Sequence, residues 1–185
     1  MKKVFIAVAI LVATTASYAQ TTSVNSGNNN EKTRKVKKHE RILQRKMERK
    51  EVSYQSKQAF FHDFGDVKNV QWNHSDYFDE ASFIKGGHKT TAYYDVDAKL
   101  VGTTSERPFT DLPAGARKYI ARKFKNYKPV QTYFFDDNEN NDTDMILYGF
   151  EFDDEDNYFV EMQNGNKTII LDVSMDGNVQ VFKDM

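Results

Sequence analysis

The chain contains no cysteine. That removes disulfides, a thioether-linked lipid anchor, a thiol nucleophile and thiolate metal ligation, so any fold must be held by burial alone. Histidine is scarce: His39, His62, His74 and His88 are the four present, and none stands at metal-ligand spacing from another. They read as structural or surface residues. No Gly-x-Ser-x-Gly elbow and no phosphate-cradling glycine loop occurs. The pattern therefore carries no catalytic residue and implies no cofactor. Long apolar runs are missing as well. The run from Val4 to Val12 is nine residues, about half of what a membrane-spanning helix needs.

That short run has another use. Lys2 and Lys3 precede it, and Ser17-Tyr18-Ala19 supplies small residues where a signal peptidase reads. Residues 1–19 are expected to be a secretory signal peptide cleaved after Ala19. The mature chain should then act in the periplasm or outside the cell, without a transmembrane segment. Nucleic acid is not an expected partner there.

Charge is unevenly spread. Between Glu31 and Glu51 ten Lys and Arg stand against four Glu, whereas no Lys or Arg occurs from Pro129 to Asn166. A basic arm and an acidic body follow. Thr21 to Asn30 is polar and Asn-rich, a flexible leader. Glu31 to Glu51 is built of helix formers with a thin apolar stripe of Val36, Leu43 and Met47. It is expected to form a basic helix that docks weakly on the body or on a partner.

Apolar content rises from Ser53 onward, with 14 Phe and 10 Tyr in the chain, a composition suited to a sheet-rich core. Phe60, Phe61 and Phe64 are placed on one helical face closed by Gly65. Strands are expected at 67–72, 81–85, 89–96 and 100–103. A second helix begins near Asp111, read as its N-cap, with Pro113 in the first turn. It carries Leu112, Ala116, Ile120 and Phe124 at four-residue spacing. Strands at 130–135, 145–152, 158–162, 167–173 and 179–182 complete the chain. The halves match in order: "VKNVQW" answers "YKPVQTYFF", and "YYDVDAKLVGTT" answers "ILDVSMDGNVQVF". The expected organisation is 1–19 signal peptide, 20–52 leader and basic helix, 53–108 first unit and 109–185 second unit.

Those motifs, with the Ala-x-Phe strand and "DLPAGARKYIARKF", resemble the PepSY-like periplasmic proteins of Bacteroidetes, whose fold is similar to beta-lactamase inhibitory protein. The resemblance covers about Ser53 to Phe182. It departs at Asp97-Ala98-Lys99, where such proteins usually carry Asp-Gly. It implies an α+β fold of tandem helix plus antiparallel β-sheet modules and a binding or inhibitory role, with no catalytic residues to transfer.

Two readings of function follow. In a two-layer module one sheet face packs on helices and the other is free to bind. Alternation places Val70, Trp72, Tyr148, Phe150, Val160, Leu171 and Val179 in one set. Tyr93, Tyr133, Phe135, Phe159 and Phe182 fall in the opposite set, an aromatic patch that would bind an envelope or extracellular protein. The alternative is that register drift or the other repeat covers them. The second reading is divalent-cation binding or an envelope-stress role through the acidic runs Asp136, Asp137, Glu139, Asp142, Asp144 and Asp153, Asp154, Glu155, Asp156. Neither run has the glycine or the closing glutamate of an EF-hand loop.

Overall fold

Ser53 sets the start of the first helix: its Oγ accepts the N–H of Ser56 at 2.9 Å, the geometry of an N-cap. The structure, a computed structural model, describes residues 51–152 and 155–185. The expected signal peptide, leader and basic helix, apart from Glu51, lie outside these residues, as do Asp153 and Asp154. Helix α1 spans Tyr54–Phe64 and stops at Gly65, whose φ of 76° permits the chain reversal and whose N–H caps the carbonyl of Phe61 at 2.9 Å. Helix α2 spans Ala114–Lys123, after a short 3-10 turn at Phe109–Asp111. Asp111 is therefore in that turn and does not cap α2; the residue before the helix is Pro113, and no side chain caps it.

Ten strands follow among the described residues: β1 Gln71–His74, β2 Asp79–Lys85, β3 His88–Tyr94, β4 Leu100–Glu106, β5 Lys128–Asp137, β6 Met145–Leu147, β7 Phe150–Phe152, β8 Asn157–Asn164, β9 Lys167–Ser174 and β10 Val179–Asp184. Eight of them form one antiparallel sheet in the order β1-β2-β3-β4-β5-β8-β9-β10. The α+β expectation of helices with antiparallel strands holds, and the strands of both halves share one continuous sheet.

Strand periodicity fixes which side chains meet the helices. Under α1, Phe60 is 4% exposed, and its ring lies 5.0 Å from Phe83 and 5.4 Å from Trp72, with Ala81, Ala92 and Tyr94 completing the cluster. Burying one such ring contributes roughly 2–3 kcal/mol. Phe61, expected on that face, is 60% exposed. At 100° from Phe60 it falls outside the narrow stripe that 60 and 64 define. Under α2, Leu112, Ala116 and Ile120 pack on Val160, Met162, Leu171 and Val173, with Phe124 at the margin. The register Ala92↔Thr103↔Asp136 and Thr132↔Val160↔Leu171 carries one face across the sheet, so both helices cover the same side.

Two strand assignments change. The first strand starts at Gln71 rather than Val67, because Asn69 adopts φ 59° and breaks the extended run. Residues 145–152 are not a sheet strand. Tyr148 at φ 54° and Gly149 at φ 80° turn the chain back on itself, making β6 and β7 a separate hairpin with Met145 opposite Phe152.

Candidate functional site

The face away from the helices has two parts. The first is covered. Met145 and Phe152 project from the hairpin onto the sheet, and Phe152 makes edge-to-face contacts with Phe135 at 5.1 Å, Phe159 at 4.8 Å and Phe182 at 5.9 Å. Phe135 and Phe159 are 0% exposed. The expectation of an open face fails for both, because the hairpin between β5 and β8 buries them. Phe182 is half-buried, lying between Phe159 and the hairpin rings of Phe150 and Phe152. Tyr148 and Phe150, expected on the helix side with Trp72, belong to the hairpin and leave the sheet altogether. Beneath this cover Gly102 leaves room for a ring: a Cβ there would meet Phe135 ring carbons and the Asp136 carbonyl at 2.7 Å.

The second part is a groove of about 250 Å³ between the hairpin tip and strands β3 to β5. Its lining includes Tyr93, Tyr133, Leu147 and Tyr148, with Thr91 and Thr104 at the floor and Lys89 and Glu106 at the rim. Tyr93 Oη lies 3.0 Å from Thr104 Oγ1, and its ring meets Phe78 edge-on at 5.9 Å. Burial pushes the Tyr93 phenol up to about 12, with Thr104 opposing the shift. Burial also raises the phenols of Tyr133 and Tyr148, reinforced in both by the carboxylate of Glu161. The rings stay neutral and amphipathic across physiological pH. Of the five aromatic residues expected at a binding face, the structure brings Tyr93 and Tyr133 to this groove. Strand alternation misses the two contributors from the hairpin, Leu147 and Tyr148; the Tyr-Gly dipeptide is the signal for the turn that presents them.

Two further polar clusters serve the fold. Asp79 is fully buried; its Oδ1 lies 2.6 Å from His74 Nδ1, while Oδ2 accepts from the Ser53 backbone at 3.1 Å and the Ser56 hydroxyl at 2.7 Å. The residue types are those of a hydrolase relay, but the order is wrong. Here the carboxylate stands between hydroxyl and imidazole, whereas a relay needs the imidazole in the middle to take the hydroxyl proton. The cluster fastens the start of α1 to the strand pair β1-β2.

The loop that carries the first acidic run is anchored by its neutral side chains. Asp95 Oδ1 accepts the N–H groups of Asp97 and Lys99, and its Oδ2 takes donors from Asn141 and Thr143, both at 3.2 Å. Asn138 and Asn141 also donate to the Leu100 carbonyl. The loop therefore pins the β3-β4 turn. Asp156 Oδ1 accepts the Asp137 N–H at 2.9 Å. Among the described residues no three His, Asp or Glu side chains converge as a metal site.

With this geometry in place, solved structures supply the comparison. A DUF2874 family protein from Bacteroides uniformis superposes with a TM-score of 0.58 at 12% identity, covering 73% of this chain and 89% of its own. A BLIP-like protein from Bacteroides fragilis gives 0.55 at 16% identity, covering 73% and 87%. The fold is BLIP-like. A protein from Bacteroides eggerthii described as periplasmic gives 0.57 at 12% identity, covering 73% and 88%. No family model matches the chain, and no curated protein matches it. The BLIP-like fold agrees with the expected resemblance, and among the described residues no helix is long and apolar enough to cross a membrane.

Proposed function

We propose that this chain is an exported, non-enzymatic binding module that receives a protein partner in the tyrosine-lined groove of its BLIP-like sheet. The observation that carries this reading is the groove itself: three tyrosines from three different segments meet beside Leu147, in a recess the helices do not cover. Tyrosine gives large rigid contact area with a polar tip, the residue type favoured at the centres of protein interfaces. Export rests on the expected signal peptide, with cleavage after Ala19, and on the periplasmic description of a fold neighbour. We further infer that residues 53–108 and 109–185 are tandem copies of one unit, since α1 precedes β1 to β4 as α2 precedes β5, β8, β9 and β10.

The test is capture from envelope extract with the mature protein and with the double variant Tyr133→Ser, Leu147→Ser. Both side chains are only partly buried, so the variant should keep a cooperative thermal transition. A partner held by the parent and released by the variant supports the groove. A partner held equally by both, or lost only when residues 20–52 are removed, refutes it and moves recognition to the basic arm.

A further inference from the structure

We infer that the groove is a cup for a basic side chain, a lysine or arginine presented by the protein partner. This deepens the proposed function and rests on it.

The argument starts from register. Glu80 is directly opposite Tyr93 across β2 and β3, and Glu106 is directly opposite Tyr133 across β4 and β5. Residues paired this way point to the same face. Glu161 sits two positions beyond Phe159, the partner of Tyr133, and so shares that face as well. Tyr93 and Tyr133 thus each have a carboxylate beside them. The mutual influence of the groups agrees with this convergence: Tyr148 feels Tyr133, Glu161 and Tyr93, while Tyr133 feels Glu106 and Glu161.

Among the described residues one cation lines the groove. Lys89 stands at the rim and approaches Glu106 Oε1 at 3.8 Å, with its side chain 60% exposed. That contact is long and solvated, a weak ion pair. Glu106 shares the lining with Lys89, Glu80 and Glu161 flank it beside Tyr93 and Tyr133, and Lys183 reaches the Tyr148 carbonyl from beyond the hairpin, so carboxylates outnumber ammonium groups around the cup. An ammonium or guanidinium group entering it would meet aromatic rings, which attract cations through their quadrupole, and carboxylates that complete its hydrogen bonds. A neutral apolar side chain would fill the volume but leave the carboxylates uncompensated. Lys89 acts as a tethered occupant that an incoming cation displaces.

The experiment uses the mature protein and follows its tyrosine ring signals by NMR. N-acetyl-arginine amide and N-acetyl-lysine amide are titrated against N-acetyl-citrulline amide, the neutral isostere of arginine. The cations should give saturable shifts of the Tyr93, Tyr133 and Tyr148 rings, with citrulline about tenfold weaker. Glu106→Gln should weaken arginine binding roughly threefold and Lys89→Ala should strengthen it roughly threefold. Equal binding of citrulline and arginine, or weakening by both variants, overturns the cation cup. The two readings fail separately. A partner released by the groove variant but indifferent to Lys89→Ala would keep the binding module and remove the cation. Arginine binding with no groove-dependent partner would do the reverse.

Discussion

Replacing Phe152 with alanine asks whether the hairpin is a cover or an ornament. The ring contacts three others edge-on, at centroid distances of 4.8, 5.1 and 5.9 Å, and is half-buried. A fully buried Phe→Ala change costs about 3–5 kcal/mol. Partial exposure lowers this, while the loss of three aromatic pairings at about 0.5–1.5 kcal/mol each sets a floor. We expect about 3 kcal/mol, a fall in Tm of about 10 °C for a body of this size. Location matters more than magnitude. The β6-β7 ladder pairs only with itself, so its amides should lose hydrogen-exchange protection first, ahead of β3, β4, β8 and β9. Opening the cover would expose Phe135 and Phe159 and generate binding of a hydrophobic dye under native conditions. An unchanged Tm with no dye binding would refute the covering role and return those rings to solvent.

Other expectations come from single sites. Gly102→Ala drives a Cβ to 2.7 Å from the Asp136 carbonyl and the Phe135 ring, and should destabilise by about 2 kcal/mol in urea melts; a neutral effect would mean the strand pair yields freely. Ala98 holds φ 58°, so Ala98→Gly should relieve left-handed strain and raise stability by about 0.5 kcal/mol after the greater chain entropy of glycine is deducted. A lower Tm would contradict that. Asp79→Ala removes the carboxylate that the Ser53 N–H, the Ser56 hydroxyl and His74 Nδ1 share and should cost about 3 kcal/mol, with α1 exchanging faster than α2. The Tyr93 phenol is raised from 10.0 to about 12 by burial. A raised folded value favours the neutral form, so its contribution is complete below pH 10 and is lost as pH rises toward 12. Tyr93→Phe should flatten the fall in stability over that window.

Local signals carried much of the architecture. Ala116 and Ile120 read as a buried helical stripe and are one, because side chains four apart stack along a single side of a helix; Leu112 joins their core from the extended residue ahead of Pro113. Gly65 read as a helix end for a reason that tertiary context does not alter. The acidic run was legible as charge, but the anchoring of its loop through Asn141 and Thr143 was not. Asp95 and Asn141 are 46 residues apart, and their bond exists only once β4 and β5 pair. The aromatic face failed for a related reason. Alternation puts Phe135 and Phe159 on the correct side of the sheet, but periodicity within a strand says nothing about what a distant segment lays on top. Reading 145–152 as a single strand hides that segment, and with it Tyr148 and Leu147.

The sheet closes without the hairpin. Strand β5 pairs directly with β8, from Lys128 opposite Gln163 to Phe135 opposite Asn157, so the chain between Asp137 and Asn157 is an insert on a finished scaffold. Among the described residues its strands β6 and β7 pair only with each other, which makes the hairpin an exchangeable cassette as long as Asn138, Asn141 and Thr143 stay to hold the β3-β4 turn. Loops of other length and composition, grafted between these two strands with an apolar foot to replace Met145 and Phe152, would redraw the recognition surface while leaving both helices and all eight strands in place.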